Sequence, residues 1–148
     1  MQKRQCGECK ACCEGWLSGQ VNNHLFYPGC QCHYLGETGC TIYKDRPQYP
    51  CQDYNCEWLI NETVPEWLKP SESKVILSTR EIDGMRYLEV VEAGSKMTAE
   101  VMSWILMEFA KGTITNLVYE IDGTTSIIGT HDFYEAYSKA CQTGNLPV

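Results

Sequence analysis

Nine of the ten cysteines, Cys6, Cys9, Cys12, Cys13, Cys30, Cys32, Cys40, Cys51 and Cys56, fall in the first 56 residues, and Cys141 alone lies outside. Four of them crowd into Cys6-Gly-Glu-Cys-Lys-Ala-Cys-Cys13. Sulfurs this close can serve as crosslinks, metal ligands, redox partners or packing. Thiolates suit soft ions, and four per site satisfy either tetrahedral zinc or a cubane iron–sulfur cluster. The triple Cys6-x2-Cys9-x2-Cys12 has the spacing of the first three ligands of an iron–sulfur run, whose fourth ligand comes from afar. Lys10 follows Cys9 where zinc knuckles commonly carry Gly, a second lean toward a cluster. Neighbouring side chains usually diverge, so Cys13 is expected to serve a second site or to bridge two metals.

Compartment and charge narrow the choice. No stretch approaches the run of ~20 apolar residues needed to cross a bilayer. The start, Met1-Gln2-Lys3-Arg4-Gln5-Cys6, lacks the apolar segment of a secretory signal. The chain therefore reads as cytoplasmic, where reducing conditions disfavour disulfides and shift the weight to metal. A net charge of -7 without a Lys/Arg stripe argues against a nucleic-acid partner. Lys3, Arg4, Lys10, Lys44 and Arg46 are placed to offset thiolate charge in the cysteine-rich part.

The later cysteines lie in Cys32-His-Tyr-Leu35, Cys40-Thr-Ile-Tyr43, Arg46-Pro47, Cys51, and Tyr54 before Cys56 and Trp58. With the opening Cys-x2-Cys-x2-Cys-Cys, this order resembles the CxxCxxCC proteins, a family of zinc- or iron-chelating domains, over residues 6 to 58. The resemblance implies a ligand set of Cys6, Cys9, Cys12, Cys13, Cys32, Cys40, Cys51 and Cys56. Cys30 falls outside the pattern, as a ninth ligand or a bystander. The implied cofactor is a [4Fe-4S]-type cluster or zinc, in more than one site. Some relatives look like the cysteine cluster of flagellin lysine methylases, larger enzymes than this chain.

These ligands need elements to hold them. Five of the six prolines lie in the first 70 residues, together with turn signals such as Tyr27-Pro28-Gly29 and Tyr49-Pro50, leaving little room for long helices or strands. A metal core would supply the missing order. The fold class expected is α+β: an irregular, metal-stapled cysteine module over 1–64, a connector over 65–73, and a ββαββα module over 74–148, packed as one unit.

In the second module, residues 74–81 and 85–92 are β-rich runs joined by Asp83-Gly84, and residues 114–121 and 124–129 repeat the pattern around Asp122-Gly123. Two helices follow the two hairpins. Thr98 caps the first, Gly112 stops it, and Val101, Met102, Trp104, Ile105, Met107 and Phe109 form its apolar face. Asp132 and Glu135 have capping-box spacing in the second, with Phe133, Ala136, Tyr137, Ala140 and Cys141 on its core side. The economical packing is an antiparallel four-stranded sheet with both helices on one face.

Other conspicuous residues have plainer readings. His24, His33 and His131 are expected to be structural or exposed, and Tyr43, Tyr49, Tyr54 and Trp58 to shield the cysteines from water. Arg46 is placed to hydrogen-bond a cluster sulfide or thiolate, with an ion pair to Asp45 or Glu57 as the alternative. No phosphate loop, dinucleotide fingerprint or nucleophile elbow appears, so the expectation is a metal-binding protein without catalytic activity, working through a protein partner. The alternative is an iron–sulfur redox or accessory protein that supports a protein modification such as methylation.

Overall fold

The computed structural model describes residues 3–146. The amino-terminal third is built from short pieces. Strands β1 (Gly19–Val21) and β2 (His24–Phe26) pair as one hairpin, and β3 (Leu35–Gly36) and β4 (Gly39–Cys40) as another. Single 3-10 turns cover Ala11–Cys13 and Tyr43–Asp45, and one helical turn spans Gln48–Gln52. One-turn helices α1 (Glu57–Ile60) and α2 (Pro70–Ser73) follow. The segment at 65–73 is more than a connector: Leu68 is completely buried and Pro70 is buried beside it.

Strands β5 (Val75–Ile82), β6 (Met85–Glu92), β7 (Leu117–Ile121) and β8 (Thr124–Ile128) form one sheet in that order. Both Asp-Gly pairs make the expected hairpin turns. Positive φ at Asp83 (48°) and Gly84 (76°), and at Asp122 (52°) and Gly123 (75°), supplies the twist that a two-residue loop needs. The expectation of an antiparallel sheet fails at its centre. Strands β6 and β7 run parallel, with Leu88 opposite Leu117 and Val91 opposite Glu120. Helix α3 (Ala99–Ala110) carries the chain back to the starting end before β7 begins, so β6, α3 and β7 form a crossover unit.

The two long helices also lie on opposite faces, not on one. Val101 and Ile105 of α3 pack with Val75, Leu77, Leu88, Val90 and Leu117. Phe133, Tyr137 and Ala140 of α4 (His131–Thr143) pack with Ile82, Tyr87 and Val118. Leu88 and Tyr87 are consecutive, as are Leu117 and Val118, and consecutive strand residues point to opposite faces. The physical reason is double-sided burial: Val75, Ile76, Leu77 and Ser78 are all buried, which one layer of helices cannot achieve.

Helix ends follow local chemistry. The Thr98 hydroxyl accepts from the Val101 N–H as expected, and Gly112 (φ 78°) ends the α3 region. In α4 the cap is Thr130, whose hydroxyl accepts from the Phe133 N–H, so the Asp132/Glu135 capping box is not formed. Glu135 instead pairs with His131 on the helix surface, 3.2 Å away. Cys141 is exposed, because the core side of α4 runs through Phe133, Tyr137 and Ala140 and leaves position 141 turned outward. Met107, expected in the core stripe, is 58% exposed, while Trp104 is partly buried against the α3 face. No helix among the described residues is long and apolar enough to cross a membrane.

The cysteine-rich segment wraps the β5 side of the sheet. Trp58, Val64 and Leu68 join the α3 face, and Ala11 packs with Ile76 and Ala93 on the α4 face. The Tyr54 hydroxyl is 2.8 Å from the Ser78 hydroxyl, tying the cysteine segment to β5. Arg4 fastens the irregular segment before Cys6: its guanidinium donates to the carbonyls of Trp58 (2.7 Å), Asn61 (2.9 Å) and Val64 (2.7 Å) and to Glu66 (2.8 Å). This cation, expected to offset thiolate charge, is committed to backbone.

Candidate metal centre

The Cys6 to Cys13 stretch winds through two tight turns. The Cys9 N–H donates to the Cys6 carbonyl at 2.9 Å, with Gly7 at φ 56°, a conformation that resists side chains with a Cβ. The Cys13 N–H then donates to the Lys10 carbonyl at 2.9 Å, closing the 3-10 turn over Ala11–Cys13. Ala11 is buried against the sheet, which fixes the direction of the turn. The Cys13 carbonyl accepts the Cys32 N–H at 2.9 Å and brings in the second loop. Within that loop the Leu35 N–H donates to the Cys32 carbonyl, and Leu35 pairs with Cys40 across β3 and β4. Cys32 and Cys40, eight residues apart in sequence, are thereby held at one end of a hairpin.

These loops enclose a cavity of about 1260 Å³ lined by Cys6, Cys9, Cys12, Cys13, Cys32, Cys40 and Cys51. Seven of the eight thiols expected as ligands thus face one space. Cys56 does not line it; it packs beside Cys9 and Tyr54 against the Ala11, Ile76 and Ala93 cluster. Cys30 does not line the cavity, and its thiol faces the Leu25 and Gln31 carbonyls at 4.0 Å. All ten cysteines are free thiols. The Cys12 and Cys13 sulfurs, expected to diverge, lie 3.8 Å apart.

No group of three or more Cys, His, Asp or Glu side chains among the described residues is gathered closely enough to hold a metal ion. A single tetrahedral zinc with Zn–S of ~2.3 Å draws its sulfurs to within about 3.8 Å of one another. The Cys12/Cys13 pair meets that spacing. The set of thiols as a whole is spread around a wider space.

The electrostatics are those of crowded, half-buried thiols. Burial pushes Cys6, Cys32, Cys51 and Cys56 above the ordinary thiol range, and neighbouring thiolates push them in the same direction. Cys13 is lowered, first by its hydrogen bond with Cys12 and then by the Arg46 charge. Cys12 is raised by the same bond, and burial adds to the effect.

Arg46 is one of the cations that line the cavity, with Lys3, Arg4, Lys10 and Arg80. Its guanidinium stacks over the Tyr43 ring at 3.8 Å, and its charge favours the thiolates of Cys6, Cys13 and Cys51. The Arg46 Nε is buried without a hydrogen-bond partner, one of three such side-chain atoms among the described residues, with the indole nitrogens of Trp16 and Trp58. The expected alternative partners are engaged elsewhere or exposed. Glu57 accepts from Thr79 at 2.7 Å and from Asn61 at 2.9 Å, and Asp45 is exposed. An orphaned cationic donor among thiols fits an acceptor such as a thiolate or a cluster sulfide.

The aromatic shield is less complete than expected. Tyr54 lines the cavity, but Tyr43 and Tyr49 are 55% and 60% exposed at its rim. Trp58 belongs to the core on the α3 face, flanked by the cations of Arg4 and Lys69 at 5.1 and 5.3 Å from its ring. His24 and His33, nine residues apart in sequence, are exposed and stack on each other with centroids 3.8 Å apart. Sequence reasoning did not reveal that pairing, since only the two hairpins bring the rings together.

Fold and site together define a mixed α/β protein with a thiol-lined cavity laid against one side of its sheet. No family model, curated protein or solved structure matches the chain.

Proposed function

We propose that this chain is a metal-binding protein whose Cys6, Cys9, Cys12, Cys13, Cys32, Cys40, Cys51 and Cys56 hold iron–sulfur or zinc, and that this coordination orders its amino-terminal third. The observation that carries the reading is the convergence of seven of these cysteines on one cavity that Arg46 also lines. Folded segments this poor in regular structure need another source of stability, and thiolate coordination contributes about 10–16 kcal/mol in zinc-finger peptides. The breadth of the cavity favours a multi-atom cluster over single ions, because a cluster sets its protein ligands around its own inorganic core. When bound, the group would supply soft-acid coordination and, if it contains iron, one-electron chemistry. The chain's residues would orient it, with Arg46 donating to its sulfur and Tyr54 closing the side toward the sheet.

With the thiols committed to metal, the remaining surface is left to meet a protein partner. The test is iron, zinc and labile sulfide counted per chain in anaerobically purified protein, followed by chelation. The expected result is bound metal, with loss of near-UV signal and of protease resistance in the first sixty or so residues on stripping. Protein free of metal, or stripped protein that keeps its full signal, would refute the reading.

A further inference from the structure

The sheet ends in two unlike edges. Beside β5, the Tyr54 hydroxyl reaches Ser78 at 2.8 Å and the Glu57 carboxylate accepts from Thr79 at 2.7 Å, so the cysteine-rich segment covers that side. Beside β8 the sheet order stops. The backbone pattern shows which groups of β8 face outward. The Leu88 N–H donates to the Asn116 carbonyl at 2.9 Å, so Val118 and Glu120 turn their peptide groups to β6, while Leu117, Tyr119 and Ile121 turn theirs to β8. Their partners Ile128, Ser126 and Thr124 are thereby engaged, and the N–H and C=O groups of Thr125 and Ile127 point away from the sheet. Among the described residues no backbone hydrogen bond takes these groups up. Soluble proteins blunt such edges with charge, proline or a bulge. Thr124-Thr-Ser-Ile-Ile128 has no charged residue and no proline, and its register with β7 runs unbroken from Ile121 opposite Thr124 to Leu117 opposite Ile128. Thr124, Thr125 and Ile128 are exposed.

We propose that β8 is the interface of a symmetric dimer, in which it pairs antiparallel with β8 of a second copy and joins the two four-stranded sheets into one. The strand is complementary to itself. A two-fold axis at Ser126 sets Thr125 opposite Ile127 of the second copy, so the two residues with free peptide groups face each other and exchange both hydrogen bonds, on each side of the axis. Ser126, the smallest side chain of the strand, falls at the non-hydrogen-bonded pair on the axis, where backbones approach most closely. Thr124 meets Ile128, so β-branched pairs form on both faces of the joined sheet. Ile127 lies on the α4 face opposite Val118, and Ile128 on the α3 face opposite Leu117. Charge favours the same contact. The chain carries -7, so two copies repel over most of their surface. Glu120, the charge opposite Thr125 on β7, would stand at least three strand spacings, about 14 Å, from its counterpart, beyond the Debye length at physiological salt. An extended segment of another protein would satisfy the same backbone groups but brings no matched residue to Ser126, and the test separates the two.

The experiment follows the full chain, purified anaerobically, by sedimentation from ~1 to ~100 μM, with amide hydrogen exchange read by mass spectrometry at each concentration. The expected result is a monomer–dimer equilibrium in which exchange over Thr124–Ile128 slows as the dimer fills. Ser126→Lys sets like charges opposite each other on the axis and should weaken dimerisation about 5-fold, and Ser126→Glu should do the same. An equimolar mixture of the two variants should dimerise more tightly than either alone, because opposite charges then meet across the axis. That rescue also shows that both variants fold. A parent chain that stays monomeric across the range would overturn the proposal. So would a dimer that both variants leave unchanged, a mixture no tighter than its components, or protection of the strand that does not change with chain concentration.

Discussion

Replacing Arg4 with alanine removes the clasp that fastens the segment leading into Cys6 to the turns after Cys56. The Arg4 side chain is only 12% exposed, and its guanidinium serves three backbone carbonyls and Glu66. Glu66 is 76% exposed, so the ion pair contributes less than ~1 kcal/mol. The carbonyls matter more. A hydrogen bond to a charged donor is worth about 1.5–3 kcal/mol, and carbonyls left without partners carry a further desolvation cost. One guanidinium serves all three, so the contributions do not add, and the expected loss is about 3–5 kcal/mol. For a chain of this size that lowers the melting temperature by on the order of 10 °C. Urea unfolding followed by tryptophan fluorescence is a suitable assay, because Trp58 lies under the guanidinium at 5.1 Å. Arg4→Lys keeps the charge but not the fork, and should recover only part of the loss. Arg4→Ala within about 1 kcal/mol of the parent, or Glu66→Ala as costly as Arg4→Ala, would refute the reasoning.

Two further predictions concern the sheet and its helices. Thr130→Ala should cost about 1 kcal/mol by removing the cap of α4, and Asp132→Ala should cost less; thermal melts giving the reverse order would contradict the cap assignment. Tyr137 is held up at about 12, chiefly by burial and further by the Cys141, Glu89 and Glu120 charges. An unfolded tyrosine ionises near ~10, so its contribution is intact below that pH and declines as pH rises toward 12. Tyr137→Phe should therefore flatten the alkaline fall of urea midpoints; an unchanged slope would rule the residue out as a cause.

Much of the second half could be read directly from the chain. The Asp83-Gly84 and Asp122-Gly123 turns are set by local backbone preference, and Thr98 caps α3 through its own hydroxyl. The capping box at Asp132 and Glu135 misled because Thr130, two residues earlier, offers a hydroxyl to the same turn and takes the Phe133 N–H. The sheet's direction was harder. Two successive hairpins suggest a meander, and only the return of the chain along α3 makes β6 and β7 parallel. One signal was present in Val75-Ile-Leu-Ser78, a continuous run instead of an alternating one, which marks a strand covered on both faces.

The cysteine site divides in the same way. Spacing alone pointed to the Cys6, Cys9 and Cys12 triple, and the resemblance carried by the later residues implied the other sulfurs of the pattern and set Cys30 apart. Tertiary structure decided what spacing cannot carry across tens of residues. It faced seven thiols into one cavity, held Cys56 behind it beside Cys9, left Arg46 Nε without a partner, and turned Arg4 from counter-charge into clasp. Local sequence fixes the dihedral angles of a turn. Which turns meet depends on the apolar surfaces they share, here the Ala11, Ile76 and Ala93 contact that seats the cysteine loops on the sheet.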